Sequence, residues 1–203
     1  MADLDGTLYA AALRADADGV RLALEAGADP RRTHPAPPSM GMHMGQHLHA
    51  TPLVAACWSG SEACVELLAP CSPLSWADET GATALMRACQ RGSHRCAQAI
   101  ANPKTCSDYD QAGWTALFYA CFEEPNSLGI ARLSDRAACI SAIAPLSALT
   151  WRTKEKTDAW DICFHRGRDG AHVRAMLDAC ADARSIAEAA PQPARPASAP
   201  FRI

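Results

Sequence analysis

A 32-residue repeat constrains the fold of this chain more than any other feature of its sequence. Thr51, Thr83 and Thr115 are 32 residues apart. The same spacing relates residues of other kinds, namely Leu53, Leu85 and Leu117, then Ala56, Ala88 and Ala120, then Cys57, Cys89 and Cys121. A fixed period of this length is typical of repeat proteins, in which a unit buries its apolar face only by stacking on its neighbours. The sequence therefore predicts a solenoid of stacked units.

Each unit is predicted to contain two short helices after a turn. Thr51 is a favoured N-cap, Pro52 is favoured at the first helical position, and Gly60 lies where a glycine commonly ends a helix. A second helix with one apolar face follows and stops at Pro70. The turn at Asp78–Gly81 has a glycine where a positive φ is wanted. The local signals therefore predict an all-α fold with short, hairpin-like turns.

The segment Thr51–Ala56 reads Thr-Pro-Leu-Val-Ala-Ala, with looser copies beginning at Thr83 and Thr115. This pattern resembles the ankyrin signature Thr-Pro-Leu-His-x-Ala. The histidine of that signature is replaced in the three copies by Val54, Met86 and Phe118. We therefore expect its polar bonds to be absent or made by other residues, and the stability to be lower than usual.

The resemblance implies an all-α ankyrin-repeat solenoid of about five units within residues 1–182. We place the units at about residues 5–30, 50–77, 78–109, 110–149 and 150–180, with the degenerate first and last units as caps. Two insertions interrupt the period, at about residues 31–49 and 124–136. Residues 183–203 are predicted to be a terminal helix end and a flexible tail rich in proline and alanine.

The string Asp3-Leu4-Asp5-Gly6-Thr7-Leu8 matches the first motif of haloacid-dehalogenase-type phosphatases. Their nucleophilic aspartate lies at the carboxyl end of a buried strand, at the ligand crevice of the sheet. Only two residues precede Asp3, and the segment that follows has a helical pattern. We therefore interpret Asp3 and Asp5 as turn residues at the start of a first helix, and a phosphatase is the least favoured hypothesis.

The first insertion is rich in histidine and methionine. Residues 33–49 contain four of the seven histidines and three of the six methionines of the chain. Imidazole and thioether groups suit soft or borderline metals such as Cu(I) or Ni, which makes a cytosolic metal-binding protein the alternative hypothesis. Its candidate ligands are His43, His47, His49, Met42 and Met44. The competing interpretation, which we prefer, is an exposed loop that extends one turn of the array without a cofactor.

The cysteines and the charge place limits on the function. The chain has ten cysteines, no Cys-x-x-Cys pair and no visible secretory signal, which favours buried free thiols in a reducing cytoplasm. A formal net charge of −3 excludes a strongly basic nucleic-acid binder. No apolar run is long enough to span a membrane. We expect a cytoplasmic, monomeric protein without nucleic-acid or membrane partners.

The resemblance to ankyrin repeats implies a concave binding face, formed by the turn tips and the exposed ends of the first helices. The positions carried over from the family are Trp58, Glu79, Thr80, Gln90, Arg91, Gln111, Trp114, Phe122, Glu123, His165 and Arg166. Three of them are aromatic, and aromatic residues and arginine dominate interface hot spots. The sequence therefore predicts a non-enzymatic module or adaptor that binds a protein partner through exposed Trp58, Trp114 and Phe122.

Overall fold

The computed structural model describes residues 3–38, 48–122, 133–149 and 152–157, together with isolated residues up to Ala181. The fold is mostly helical, as predicted. The first helices of units one to four are α1 (Leu4–Leu13), α3 (Pro52–Ser59), α5 (Ala84–Arg91) and α8 (Ala116–Cys121). The second helices are α2 (Ala17–Glu25), α4 (Glu62–Leu68), α6 (His94–Ile100) and α9 (Leu133–Ile143). A short α7 (Pro103–Ser107) and two 3-10 turns, Ala69–Cys71 and Ala144–Leu146, complete the helical segments of these ranges.

The helices form two layers. Each of these first helices packs against the second helix of its own unit, successive first helices pack against one another, and the second helices do so in the same order. The apolar positions of the repeat form the shared core, with Leu8, Leu53, Leu85 and Leu117 all buried. No unit could cover these side chains alone, so stacking is what stabilises the array.

The local signals at α3 are confirmed. The Thr51 hydroxyl accepts a hydrogen bond from the amide of Val54 at 3.4 Å, and Pro52 occupies the first turn of the helix. Gly60 ends the helix in the left-handed conformation with φ 76°. These signals predict the bounds of α3 because capping depends only on residues close in sequence.

The substituted motif positions Val54, Met86 and Phe118 are all buried in the core. Polar bonds at the turns are instead made by the next residue of the motif. Asp78 Oδ1 accepts from the amides of Thr80 and Ala82, while its Oδ2 accepts from the buried Arg87 guanidinium. The motif position of the histidine is thus apolar and buried, and the turn of the third unit is held by a polar side chain at the next position, Arg87.

The fourth unit repeats this arrangement with a different donor. Asp110 Oδ1 accepts from the amides of Ala112 and Trp114, and its Oδ2 accepts from the Tyr119 hydroxyl at 2.8 Å. Arg87 and Tyr119 therefore hold equivalent turns in place, one as a cation and one as a neutral hydroxyl.

Adjacent turns pack tightly on each other. The turn between units two and three closes with an antiparallel bridge between Ala77 and Thr83, and Gly81 within it has φ +85°. A Cβ at Gly81 would lie 2.9 Å from the Cα of Asp110 and from the amide nitrogen of Gln111 in the next turn. Glycine is required here both by the backbone conformation and by the close approach of the neighbouring turn.

The first insertion starts and ends as a short antiparallel ladder. Strand β1 (His34–Pro35) pairs with β2 (His49–Ala50), and the Ala36 amide donates to the Leu48 carbonyl at 2.8 Å. The His34 ring stacks on Tyr9 of α1, with ring centroids 5.0 Å apart. The two ends of the insertion therefore pair with each other as an extension of the turn between units one and two. Residues 39–47 lie outside the described ranges.

Helix α9 overlaps the range predicted for the second insertion. The insertion is predicted at about 124–136, α9 begins at Leu133, and Arg136 is a buried residue of that helix. The period alone does not locate the start of α9, because an insertion shifts the register by an amount that the sequence does not specify. Residues 123–132 and most of the fifth unit lie outside the described ranges.

Candidate functional site

The C-terminal ends of the first helices lie side by side along the stack. We call Arg14, Trp58, Ser59, Gln90, Arg91 and Phe122 the helix-end row. Hydrogen bonds join successive helix ends, because a side chain of one unit reaches a carbonyl near the end of the preceding first helix. The Ser59 hydroxyl donates to the Ala12 carbonyl at 2.9 Å, and Arg91 Nε donates to the Trp58 carbonyl at 3.2 Å. Both carbonyls lie at the C-terminal ends of first helices, where intrahelical donors run out, and each receives a donor from the next unit.

Trp58 is buried, with only 8% of its surface exposed. The prediction that its ring stands on an outer surface is therefore corrected. The Arg91 guanidinium lies over the ring, 4.7 Å from its centroid, in a cation–π contact. The covering group belongs to the next unit, so the stacking of units two and three contributes to the burial of this indole.

Trp114 and Phe122 form the aromatic part of the site. Both are partly exposed, and their rings meet edge to face with centroids 4.7 Å apart. Trp114 also contacts Tyr119, with ring centroids 5.8 Å apart. The equivalent positions in the two preceding units are Ala50 and Ala82, which are fully buried. The space that buries an alanine at this position of the repeat is too small for an indole, so part of the Trp114 ring remains on the surface.

The turn tips form a second row, which we call the turn row and which comprises His49, Glu79, Thr80 and Gln111. The Glu79 carboxylate accepts from the His49 amide at 2.9 Å and lies 2.6 Å from His49 Nδ1. The Gln111 side chain donates to the Glu79 carbonyl at 2.7 Å, and its amide donates to the Thr80 carbonyl at 3.0 Å. The structure thus brings these predicted residues into one ladder of contacts.

The contacts of Glu79 also set its charge. Partial burial opposes ionisation, but hydrogen bonds from the amide and imidazole of His49 outweigh it and lower the pKa of the Glu79 carboxyl. Glu79 is therefore ionised at neutral pH. Its hydrogen bonds with His49 link the end of the first insertion to the turn between units two and three.

Of the remaining predicted positions, Gln90 and His49 lie in the described part of the chain and the others do not. The Gln90 side chain accepts from Arg87 Nη1 at 2.9 Å, so one edge of its amide is already engaged. Glu123, His165 and Arg166 lie outside the described residues. Among the candidate metal ligands, His43, His47, Met42 and Met44 also lie outside them, while His49 is engaged by Glu79.

Sequence reasoning missed two arginines that shape this surface. Arg87 is buried and linked to Asp78, and the buried Arg136 donates to the Phe122 carbonyl at 2.6 Å. A signal existed for Arg87, because a charged residue inside an otherwise apolar first helix requires a buried partner. No comparable signal exists for Arg136, which lies within the predicted range of the second insertion.

Asp3 and Asp5 have structural roles. Asp3 is the N-cap of α1 and accepts from the Gly6 amide at 2.9 Å. Asp5 accepts from the Asp29 amide at 2.7 Å and lies 3.7 Å from Arg32. Both contacts support the turn interpretation.

Within the described ranges, no three histidine, cysteine or acidic side chains form a group able to hold a metal.

The cysteines of the repeat pack as small apolar groups. Cys57, Cys89 and Cys121 are buried in the first helices, and Cys64, Cys96 and Cys139 are buried in the second helices. Burial raises the pKa of Cys57 well above its ordinary value and that of Cys96 to about 11. The neighbouring Cys139 thiol and burial together raise the pKa of Cys89. Cys57, Cys89 and Cys96 therefore stay protonated at neutral pH, and a protonated thiol is a poor nucleophile.

The comparisons with known proteins agree with this architecture. A family model described as ankyrin repeats, in three copies, matches residues 4–102 and again residues 53–140. A search of the curated proteins finds no match to the chain. In the part of the chain that the structure describes, no helix is both long enough and apolar enough to cross a bilayer. Ankyrin repeats generally mediate protein–protein interaction and are typically not enzymes. With two overlapping matches that together run from residue 4 to residue 140, the chain belongs to the ankyrin-repeat family.

Proposed function

We propose that this protein is a binding module whose protein partner lies across the helix-end row and the turn row, the concave face of an ankyrin array. The observation that carries the proposal is the partly exposed Trp114–Phe122 pair, one unit along the stack from Arg91. Aromatic residues and arginine provide most of the binding energy at protein interfaces. Fold alone does not assign a partner, so the proposal depends on these side chains.

The turn row supports the same function. Its side chains are already held by neighbouring turns, as in the contacts of Glu79 with His49 and of Gln111 with Glu79. A surface whose groups are fixed before binding loses little conformational entropy when a partner arrives. We therefore infer a largely preformed interface rather than one that orders on binding.

Site-specific photo-crosslinking tests the proposal. A benzoylphenylalanine in place of Phe122 keeps an aromatic ring on the proposed face. The matched control places the same group at Leu22 on α2, which is 62% exposed in the layer of second helices. Expressed in the native host, the protein should form discrete adducts from position 122 and not from position 22.

Two results would argue against this function. Adducts of equal yield from both positions would indicate non-specific capture, and adducts from position 22 alone would move the interface to the other layer. An alanine variant of Trp58 is less suitable for this test. Its ring is buried beneath Arg91, so its removal would also disturb the packing of units two and three.

A further inference from the structure

The Arg91 guanidinium contacts Trp58 through Nε and its flat face, whereas its two terminal nitrogens are available for a ligand. Nε donates to the Trp58 carbonyl at 3.2 Å, and the flat face of the group lies on the Trp58 ring. Within the described chain, Nη1 and Nη2 make no hydrogen bond. The contacts with Trp58 fix the plane of the guanidinium. Its remaining donors therefore keep a fixed orientation, which suits bidentate recognition of a planar anion.

Other arginines of the described chain show what Arg91 lacks. Arg87 pairs with Asp78, and Arg95 pairs with Glu62 at 3.1 Å. Arg21 likewise pairs with Asp18. Arg91 has no carboxylate within 4.0 Å among the described residues, although it is partly buried. Burial also lowers the pKa of Arg91, because a partly buried cation loses part of its hydration.

The surroundings of Arg91 favour an anion. Its neighbours in the helix-end row, Ser59 and Gln90, are neutral, and the exposed Arg14 adds a second positive charge at the end of α1. None of the described residues of this row is acidic, and Glu123, which occupies the position of Arg91 in the fourth unit, lies outside the described residues. The nearest turn-row carboxylate, Glu79, is already paired with His49. A carboxylate placed at Arg91 would therefore meet complementary charge.

The aromatic pair lies one unit further along the stack. Helices α5 and α8 pack against each other, and packed helices are about 8–10 Å apart. An extended peptide advances about 3.3 Å per residue, so about three residues cover that distance. A chain bound at Arg91 can therefore reach Trp114 and Phe122 with a side chain about three positions away.

We propose that Arg91 binds a carboxylate of the partner, and that the partner presents an extended acidic peptide segment with a large apolar side chain about three residues from its aspartate or glutamate. The apolar side chain packs on Trp114 and Phe122. This inference rests on the proposed function and specifies the chemistry of its partner. The competing interpretation is that Arg91 only joins units two and three through Trp58.

Peptide selection on the full-length protein tests the inference. Random 12-residue peptides displayed on phage are selected against the wild type, and the affinity of the best peptide is measured by calorimetry. We expect an acidic residue and an apolar residue at fixed spacing among the selected peptides. Replacing the acidic residue by its amide should weaken binding about tenfold to a hundredfold.

The protein variants separate recognition from a structural role. Arg91→Gln should weaken binding of the acidic peptide by a similar factor but leave binding of the amide peptide unchanged. Arg91→Lys should recover only part of the affinity, because a lysine cannot form the bidentate contact. Arg95→Gln is the matched control, since Arg95 is exposed on α6 and pairs with Glu62. Circular dichroism should show the same helical signal in all variants.

Three results would overturn the inference. They are a selection that returns peptides without acidic enrichment, one that returns no peptide, and an Arg91→Gln variant that binds the acidic peptide as the wild type does. None of these affects the crosslinks expected from position 122, so failure of this inference can be distinguished from failure of the proposed function.

Discussion

Arg87 and Tyr119 occupy the same position in consecutive units, 32 residues apart, and each donates a hydrogen bond to the aspartate nine residues before it. One bond joins two charged groups, and the other joins a hydroxyl to a carboxylate. Both aspartates also accept from two amides of their own turn. The repeat thus conserves the shape of the turn while changing the chemistry that holds it.

These two donors should differ in their effect on stability. Arg87→Met leaves the Asp78 carboxylate buried without its cation, which costs about 3–5 kcal/mol. Tyr119→Phe removes one hydrogen bond and leaves two amides on Asp110, which costs about 1–3 kcal/mol. Urea unfolding followed by circular dichroism measures both free energies. Adding Asp78→Asn should restore part of the stability to the Arg87→Met variant, and a larger loss from Tyr119→Phe would contradict this account.

Stability should fall as the pH rises above about 9, the region in which cysteines of the unfolded chain ionise. Burial raises the folded-state pKa of Cys96 to about 11 and that of Tyr9 to about 12, so the folded protein retains protons that the unfolded chain releases. A raised pKa stabilises the fold below the unfolded value, and that contribution is lost as the pH increases. The loss is up to about 1.4 kcal/mol per pH unit for each such group.

Urea unfolding between pH 8 and 11 in a reducing buffer measures this slope. Cys96→Ala removes one of the groups and should make the slope shallower, although it also lowers the stability at pH 8. An unchanged slope in this variant would show that Cys96 does not contribute to the alkaline loss.

Gly81→Ala should destabilise the protein more than Gly27→Ala. Both glycines have positive φ, at +85° and +91°, so each alanine variant incurs a backbone cost of about 1–2 kcal/mol. At Gly27 the added Cβ meets no atom within 4 Å, whereas at Gly81 it meets the backbone of the next turn at 2.9 Å. The clash should add about 1–3 kcal/mol. Equal losses in chemical denaturation would mean that the turns separate easily.

Substitutions at Asp3 should affect stability and not catalysis. Asp3 caps α1, so Asp3→Ala should cost about 1 kcal/mol, while Asp3→Asn should be nearly neutral because asparagine caps equally well. A phosphatase mechanism instead requires Asp3→Asn to abolish phosphate release from a generic aryl phosphate. Phosphate release by the wild type that disappears in Asp3→Asn would restore the phosphatase hypothesis.

Much of this architecture followed from local sequence. The 32-residue period predicted the stacked units, and Thr51, Pro52 and Gly60 predicted the bounds of α3. Such signals work because a cap or a turn involves residues only a few positions apart. The start of α9 could not be located in this way, because the helix begins at Leu133 without a motif that marks the start.

The sequence by itself determined the repeat, the two-helix unit and the buried positions, because all three are repeated patterns within the chain. Only the tertiary structure decided which surface positions are exposed. Trp58 is covered by Arg91, and the base of the first insertion is fastened by His49 to Glu79. These partners are about 30 residues apart in sequence. They meet because stacking places equivalent positions of successive units side by side. Which side chains touch there depends on their size and charge and not on the period.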